Sequence, residues 1–135
     1  MAISKDTGRQ WPLCAVVDIA YSDTPTTATF YEAADLPGSA RVIGGALVVK
    51  TAWATATTAT FAVGDSGAAA RYLSATDLKT AGTTVFDFST DDGSAPLDVG
   101  VTYTETGSAA TAGAAQLIIQ YVIDGKANEV QPSVD

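Results

Sequence analysis

The sequence predicts an all-β fold, an antiparallel β-sandwich or jelly-roll-like barrel of about seven to eight short strands, with extended N- and C-terminal arms. Three observations carry this reading. Apolar residues recur at every second position in several segments, the period of a half-buried strand. Those segments are separated by Gly, Pro, Asp and Ser clusters that form turns. Alanine and threonine are abundant throughout, which favours stiff strands and close sheet packing over a helical bundle. At 135 residues the chain suffices for one domain with a real core. The expected division is an arm over 1–12, a β-domain over 13–124 and a tail over 125–135.

Residues 13–21 alternate, with Leu13, Ala15, Val17, Ile19 and Tyr21 on a core face and Cys14, Val16, Asp18 and Ala20 on the other. Cys14 lies in an apolar run and is expected to pack as a small buried hydrophobe. Ser22-Asp23-Thr24-Pro25 ends this strand, and residues 27–32 form a short second one carrying Phe30. Leu36-Pro37-Gly38 is a turn signal that feeds a long strand over 40–53, with Ile43, Leu47, Val49 and Trp53 along one side. Trp53 is expected in the core. Gly44-Gly45 in its middle predicts a bulge or bend, the alternative being a flat patch on which a neighbour sits. After a small polar break, Ala59, Phe61 and Val63 mark a separate strand.

Gly64-Asp65-Ser66-Gly67 then reads as a turn, and residues 74–81 could close a helical turn capped by Ser74. Residues 82–88 form a strand through Val85 and Phe86, followed by a polar loop over 89–96. Residues 99–106 alternate Val101, Tyr103 and Glu105 with threonines, the pattern of a half-exposed strand with a threonine ladder. A small-residue connector over 107–113 leads to the most hydrophobic strand, 114–124. There Leu117, Ile119, Tyr121 and Ile123 face one way and Ile118 and Val122 the other, so the strand is either central or covered by a second subunit.

Charge narrows the partners. Seven basic residues stand against 15 acidic ones, for a net charge of −8, the opposite of what phosphate neutralisation requires, so nucleic acid is not an expected partner. A single cysteine rules out an intramolecular disulfide framework and a multi-cysteine metal site. No apolar run resembles a signal peptide or reaches the length of a membrane span, so no membrane partner is expected, and synthesis in the cytoplasm is.

The motifs that look chemical do not assemble. Gly64-Asp65-Ser66-Gly67 matches the string around a serine-protease nucleophile, but the chain contains no histidine, and without an imidazole no such triad can form. Asp87-Phe88-Ser89-Thr90-Asp91-Asp92-Gly93 spaces oxygen ligands as a calcium loop does, yet lacks the terminal bidentate Glu of an EF-hand, and a solvated acidic loop is the simpler reading. Asp18 is the one carboxylate in an apolar strand. It is expected on an exposed or subunit-facing side, meeting Arg41 or Arg71, because an unpaired buried carboxylate is costly. No catalytic, cofactor-binding or metal-ligating residue is assigned, and an enzyme is not expected.

The order of parts over residues 36–82 (a Pro-Gly turn, Val42-Ile43-Gly44-Gly45-Ala46-Leu47-Val48-Val49, a Thr/Ala strand, Gly64-Asp65-Ser66, then Arg71-Tyr72-Leu73-Ser74-Ala75-Thr76-Asp77-Leu78-Lys79-Thr80-Ala81-Gly82) resembles small structural proteins of tailed bacteriophages, of the head decoration or cement kind. The resemblance returns in Leu117-Ile118-Ile119-Gln120-Tyr121-Val122-Ile123-Asp124-Gly125-Lys126-Ala127-Asn128-Glu129. It implies a compact β-domain, commonly a homotrimer, that binds the exterior of the virion and reinforces the joints between major capsid proteins. A tail or fibre-associated virion protein and a carbohydrate-binding module are the alternatives. Interface candidates are Arg9 and Trp11 on the arm, and Arg71 with Tyr72, a residue pair of the type that dominates interface hot spots. Two alternatives stay open: Trp11 tucked onto its own domain edge, and Tyr72 as a lid on the sandwich edge with Arg71 paired to Asp65 or Asp77.

Overall fold

The computed structural model describes residues 10–87 and 98–123. Arg9, most of the acidic loop after Asp87, and the tail over 125–135 lie outside the described residues, and the calcium reading lies there with them.

Two strands of 26 residues each organise the molecule, β3 (Ala40–Asp65) and β6 (Asp98–Ile123). They pair antiparallel over their whole length, from Ala40 opposite Ile123 to Asp65 opposite Val99. Four short strands flank them. β1 (Leu13–Ala20) pairs with the second half of β6, and β2 (Thr29–Asp35) with the first half. β4 (Leu73–Asp77) pairs with the second half of β3, and β5 (Gly82–Val85) with the first half. One sheet therefore has two four-stranded halves, β1–β6–β3–β5 and β2–β6–β3–β4, both threaded by the same two strands.

A sheet with one apolar face and no second layer must cover that face with itself, which drives the two halves together. Leu47, Val49, Leu117 and Ile119 from the first half are buried, as are Ala59, Phe61, Val63, Val99, Val101 and Tyr103 from the second, and all belong to one cluster. The pairing of β3 with β6 becomes irregular between Val49 and Thr58, where the sheet turns its corner. Trp53 fills that corner at 1% exposure. Its ring meets Phe61 edge-on at 5.4 Å, and Phe61 meets Tyr103 in the same way at 5.7 Å, the arrangement the ring quadrupole favours. Gly113 makes room for the indole: a Cβ there would lie 2.4 Å from Trp53 Cδ2. Burial of Trp53, as the alternation predicts, is thus tied to a glycine sixty residues along the chain.

The all-β antiparallel class read from the sequence holds, but the strands are fewer and longer. The break before Ala59 and the connector over 107–113 are both continuous strand, so two pairs of expected strands merge into β3 and β6, giving six strands among the described residues. Small residues mark the corner rather than a loop. Residues 74–81 form no helical turn: Thr76 and Asp77 pair with Phe61 and Thr60 of β3, and Asp77 Oδ1 accepts the Lys79 N–H at 2.9 Å after the strand ends.

On β1 the alternation holds, with Ile19 buried and Ala15 and Val17 partly buried. Leu13 and Tyr21, at 39% and 38% exposure, fall outside the core because β1 is an edge strand that ends in a 3-10 turn at Tyr21–Asp23. Cys14 is exposed rather than buried. It points to the outer side of the sheet, which no second layer covers among the described residues.

Candidate functional site

Asp65 closes β3 and builds the turn that follows. Its Oδ1 accepts the N–H groups of Gly67 at 2.9 Å and Ala68 at 2.8 Å, the side-chain turn that Asp forms readily. Its Oδ2 accepts the Arg71 Nε–H at 2.7 Å, and both side chains are largely buried, at 7% and 12% exposure. Gly64-Asp65-Ser66-Gly67 is therefore turn chemistry, as the missing histidine requires. Ser66 Oγ is bonded across to Asp98 Oδ1 at 3.1 Å.

Tyr72, next to Arg71, is 1% exposed and stacks on Phe86 with ring centroids 5.5 Å apart. Phe86 in turn lies over Gly45, where a Cβ would come within 2.6 Å of its ring and 2.3 Å of the Ile118 carbonyl oxygen. The pairing slips between Val42 and Gly44, and Gly45 has φ +150°, so the glycine pair produces the expected bulge and also admits an aromatic ring. The flat-patch alternative fails at Gly45 because Phe86 occupies its inner side. Beside this stack, between the edge strands β4 and β5, runs a crevice of about 550 Å³ lined by Ala70, Tyr72, Leu73, Ser74, Thr84, Val85 and Asp87.

Trp11 is 71% exposed. Its neighbour Gln10 fixes where the arm leaves the domain, because the Gln10 side-chain amide both donates to the Ile123 carbonyl and accepts the Ile123 N–H, extending the β6 ladder by one rung. Nothing in the alternation of the sequence signalled that role. Trp11 and the Arg71–Tyr72 pair belong to different edges of the sheet: Trp11 precedes β1, and Arg71–Tyr72 precedes β4.

Asp18 is exposed, as expected, but its partners are Lys50, with Nζ 3.7 Å from Oδ1, and Gln116, which donates at 3.1 Å. Neither Arg41 nor Arg71 takes that place. The register explains the difference: Asp18 lies opposite Gln116, Gln116 opposite Val48, and Lys50 lies two residues along the same face. On the other half, Asp35 stands opposite Asp98. A hydrogen bond with Asp35, followed by the charge of Asp35, by desolvation and by the charge of Asp98, raises the Glu32 carboxyl above the ordinary carboxylate range. Among the described residues no group of three His, Cys, Asp or Glu is placed to hold a metal ion.

What the geometry defines is a curled, antiparallel β-domain in which Asp65, Gln10 and Asp18 serve a turn, a ladder extension and a surface pair. Two solved phage capsids contain chains of that fold. One is in the capsid asymmetric unit of cyanophage Pam1, with a TM-score of 0.66 and 23% identity over 91% of each chain. The other is in the capsid of Ralstonia phage GP4, with a TM-score of 0.68 and 19% identity over 93% of this chain and 92% of that one. No protein-family model matches the sequence, and no curated protein matches it.

Proposed function

We propose that this chain is a bacteriophage virion structural protein that decorates the head, binding the outer surface and holding adjacent major capsid proteins together. The observation that carries the reading is the fold itself, shared over more than nine-tenths of the chain with chains of two phage capsids. The order of sequence parts that resembles decoration proteins points the same way. The absence of histidine from the whole chain and the exposed, scattered placement of most carboxylates favour a role through contact over one through acid–base chemistry.

A decoration protein works without chemistry. A ligand that binds the assembled state and not the separated one stabilises assembly by mass action. Burying interface across a joint opposes the internal pressure that packaged DNA exerts there. The contacts would come from the arm around Arg9 and Trp11, from the edge held by Arg71 and Tyr72, and from the tail, with the protein self-associated, most simply as a homotrimer. Tyr72 is inside the core, so its part would be to hold the β4–β5 edge rigid rather than to touch the partner. The carbohydrate-binding alternative loses one of its two tryptophans, since Trp53 is buried.

The test is co-sedimentation of the purified protein with heads assembled from the major capsid protein of the same phage in its absence. Saturable binding and a higher temperature of head rupture are the expected results. Recovery of the protein on tails, with none on heads, would replace decoration by the tail-associated reading.

A further inference from the structure

The two outer faces of the sheet differ in kind. Among the described residues the exposed large hydrophobic side chains are Val16, Ile43 and Val85 on the β1–β6–β3–β5 half, Trp11 before it, and Leu13 and Tyr21 at the two ends of the inward side of β1. Val16, Ile118, Ala46 and Val85 are in register across all four strands and form one apolar row. Val16 is 56% and Val85 70% exposed, and Ile43, at the bulge beside the row, is 45% exposed. The corresponding face of the other half carries Thr60 and Thr104 beside Ala62 and Phe30, whose ring lies against Gly100 and is not among the exposed large hydrophobics.

Charge divides along the same line. The apolar half carries Arg41, Lys50 and Asp18, whereas the other eight of the nine described carboxylates lie on the second half, its turns or the loops between elements. In a chain of net charge −8, like charge opposes the approach of two copies. On this face the single carboxylate, Asp18, is matched by Lys50, so two copies can approach with their charges balanced. We propose that the outer face of the β1–β6–β3–β5 half is the surface through which one copy of this chain binds a second copy.

Four strands at about 4.8 Å spacing and about six residues of about 3.3 Å each give a face of roughly 400 Å². A standard interface takes about 800 Å² from each partner, so this contact is weak in dilute solution and forms where copies are held at high local concentration. The inference rests on the self-association in the proposed function, and testing the isolated protein separates it from capsid binding.

Cys14, the one cysteine of the chain, lies on β1 two residues from Val16, on the same exposed side. Its rate of alkylation by a thiol reagent, measured beside the mass in solution from about 10 µM to about 1 mM, reports cover over this face. Several-fold slowing that follows the rise in mass is expected, as is its loss in Val85→Lys and Val16→Lys but not in Thr104→Lys. These positions are exposed, so the variants should fold, which unchanged circular dichroism verifies.

A rising mass with an unchanged alkylation rate would overturn the face while leaving self-association standing. A monomer with a constant, fast rate at every concentration would overturn both. Protection already complete in a sample whose mass is that of a monomer would mean that the chain's own terminal segments cover the face, and protection on heads that bear too few copies for any to have a neighbour would assign it to the capsid protein. Either result would overturn the proposal.

Discussion

Replacing Asp65 with alanine should cost a large share of a typical domain's margin of stability. The carboxylate does two jobs: it pairs with Arg71 at 2.7 Å and accepts the Gly67 and Ala68 N–H groups. Breaking a buried ion pair by removing one partner costs about 3–5 kcal/mol, because the remaining charge is left desolvated. Arg71 keeps 12% exposure and a further contact of its own, which places the loss at the lower end. The two N–H groups lie near solvent, where water takes over as acceptor, adding about 0.5–1 kcal/mol each. The total is about 4 kcal/mol, against a usual folding stability of about 5–15 kcal/mol.

Asp65→Asn retains an acceptor at Oδ1 and loses the charge, so about 2 kcal/mol is expected. Combining it with Arg71→Met should add little beyond either single change, since both remove the same interaction. Urea denaturation followed by tryptophan fluorescence is the assay, with Trp53 in the core as the reporter. A loss below about 1 kcal/mol for Asp65→Ala, or single costs that simply add in the double variant to within about 0.5 kcal/mol, would refute the argument that the pair braces the turn.

Two further outcomes follow from local geometry. Ala28 has φ +55° while its N–H bonds the Tyr103 carbonyl, so Ala28→Gly should relieve left-handed strain and raise stability by about 1 kcal/mol, read as a melting temperature a few degrees higher. Tyr103 is held above the ordinary tyrosine value of about 10 by burial and then by its 2.6 Å hydrogen bond to Glu105. The unfolded chain therefore gives up that proton first. The stabilisation is complete below about pH 10 and is lost as the pH rises beyond it, and Tyr103→Phe should flatten the fall in urea midpoint between about pH 9 and pH 11.

The alternation of apolar residues was enough to fix the fold class and the inward side of most long segments, but Ile43, on the Leu47 side by spacing, is turned out to 45% exposure by the bulge between Val42 and Gly44. Leu47, Val49, Phe61, Val63, Val101, Leu117 and Ile119 are all buried where period two places them. Strand ends were harder to read. Small residues at 54–58 and 107–113 carry the chemistry of a loop, but a sheet bending over Trp53 needs the same residues, and local composition does not distinguish the two. Cys14 was misread for a related reason: an apolar neighbourhood in sequence does not reveal that a sheet lacks a layer on one side. For the candidate site, the pairing of Arg71 with Asp65 was among the possibilities that spacing allowed, whereas Gln10 and Lys50 act through register with distant strands, which spacing does not show.

Threading both halves with β3 and β6 also sets how the chain reaches its native state. The innermost rung joins Asp65 to Val99 and the outermost joins Ala40 to Ile123, so each successive rung encloses more chain. Loop-closure entropy grows with the enclosed length, and non-local pairing of this kind slows folding relative to local hairpins. The least costly route starts at the Asp65–Val99 end, where the Asp65 turn and β4 are close in sequence, and zips outward past Trp53. On this route β1 docks last, onto a β6 already paired with β3. The nascent protein would then expose the β6 edge longest, and the rate at which β1 covers it would set the yield of soluble protein at high expression.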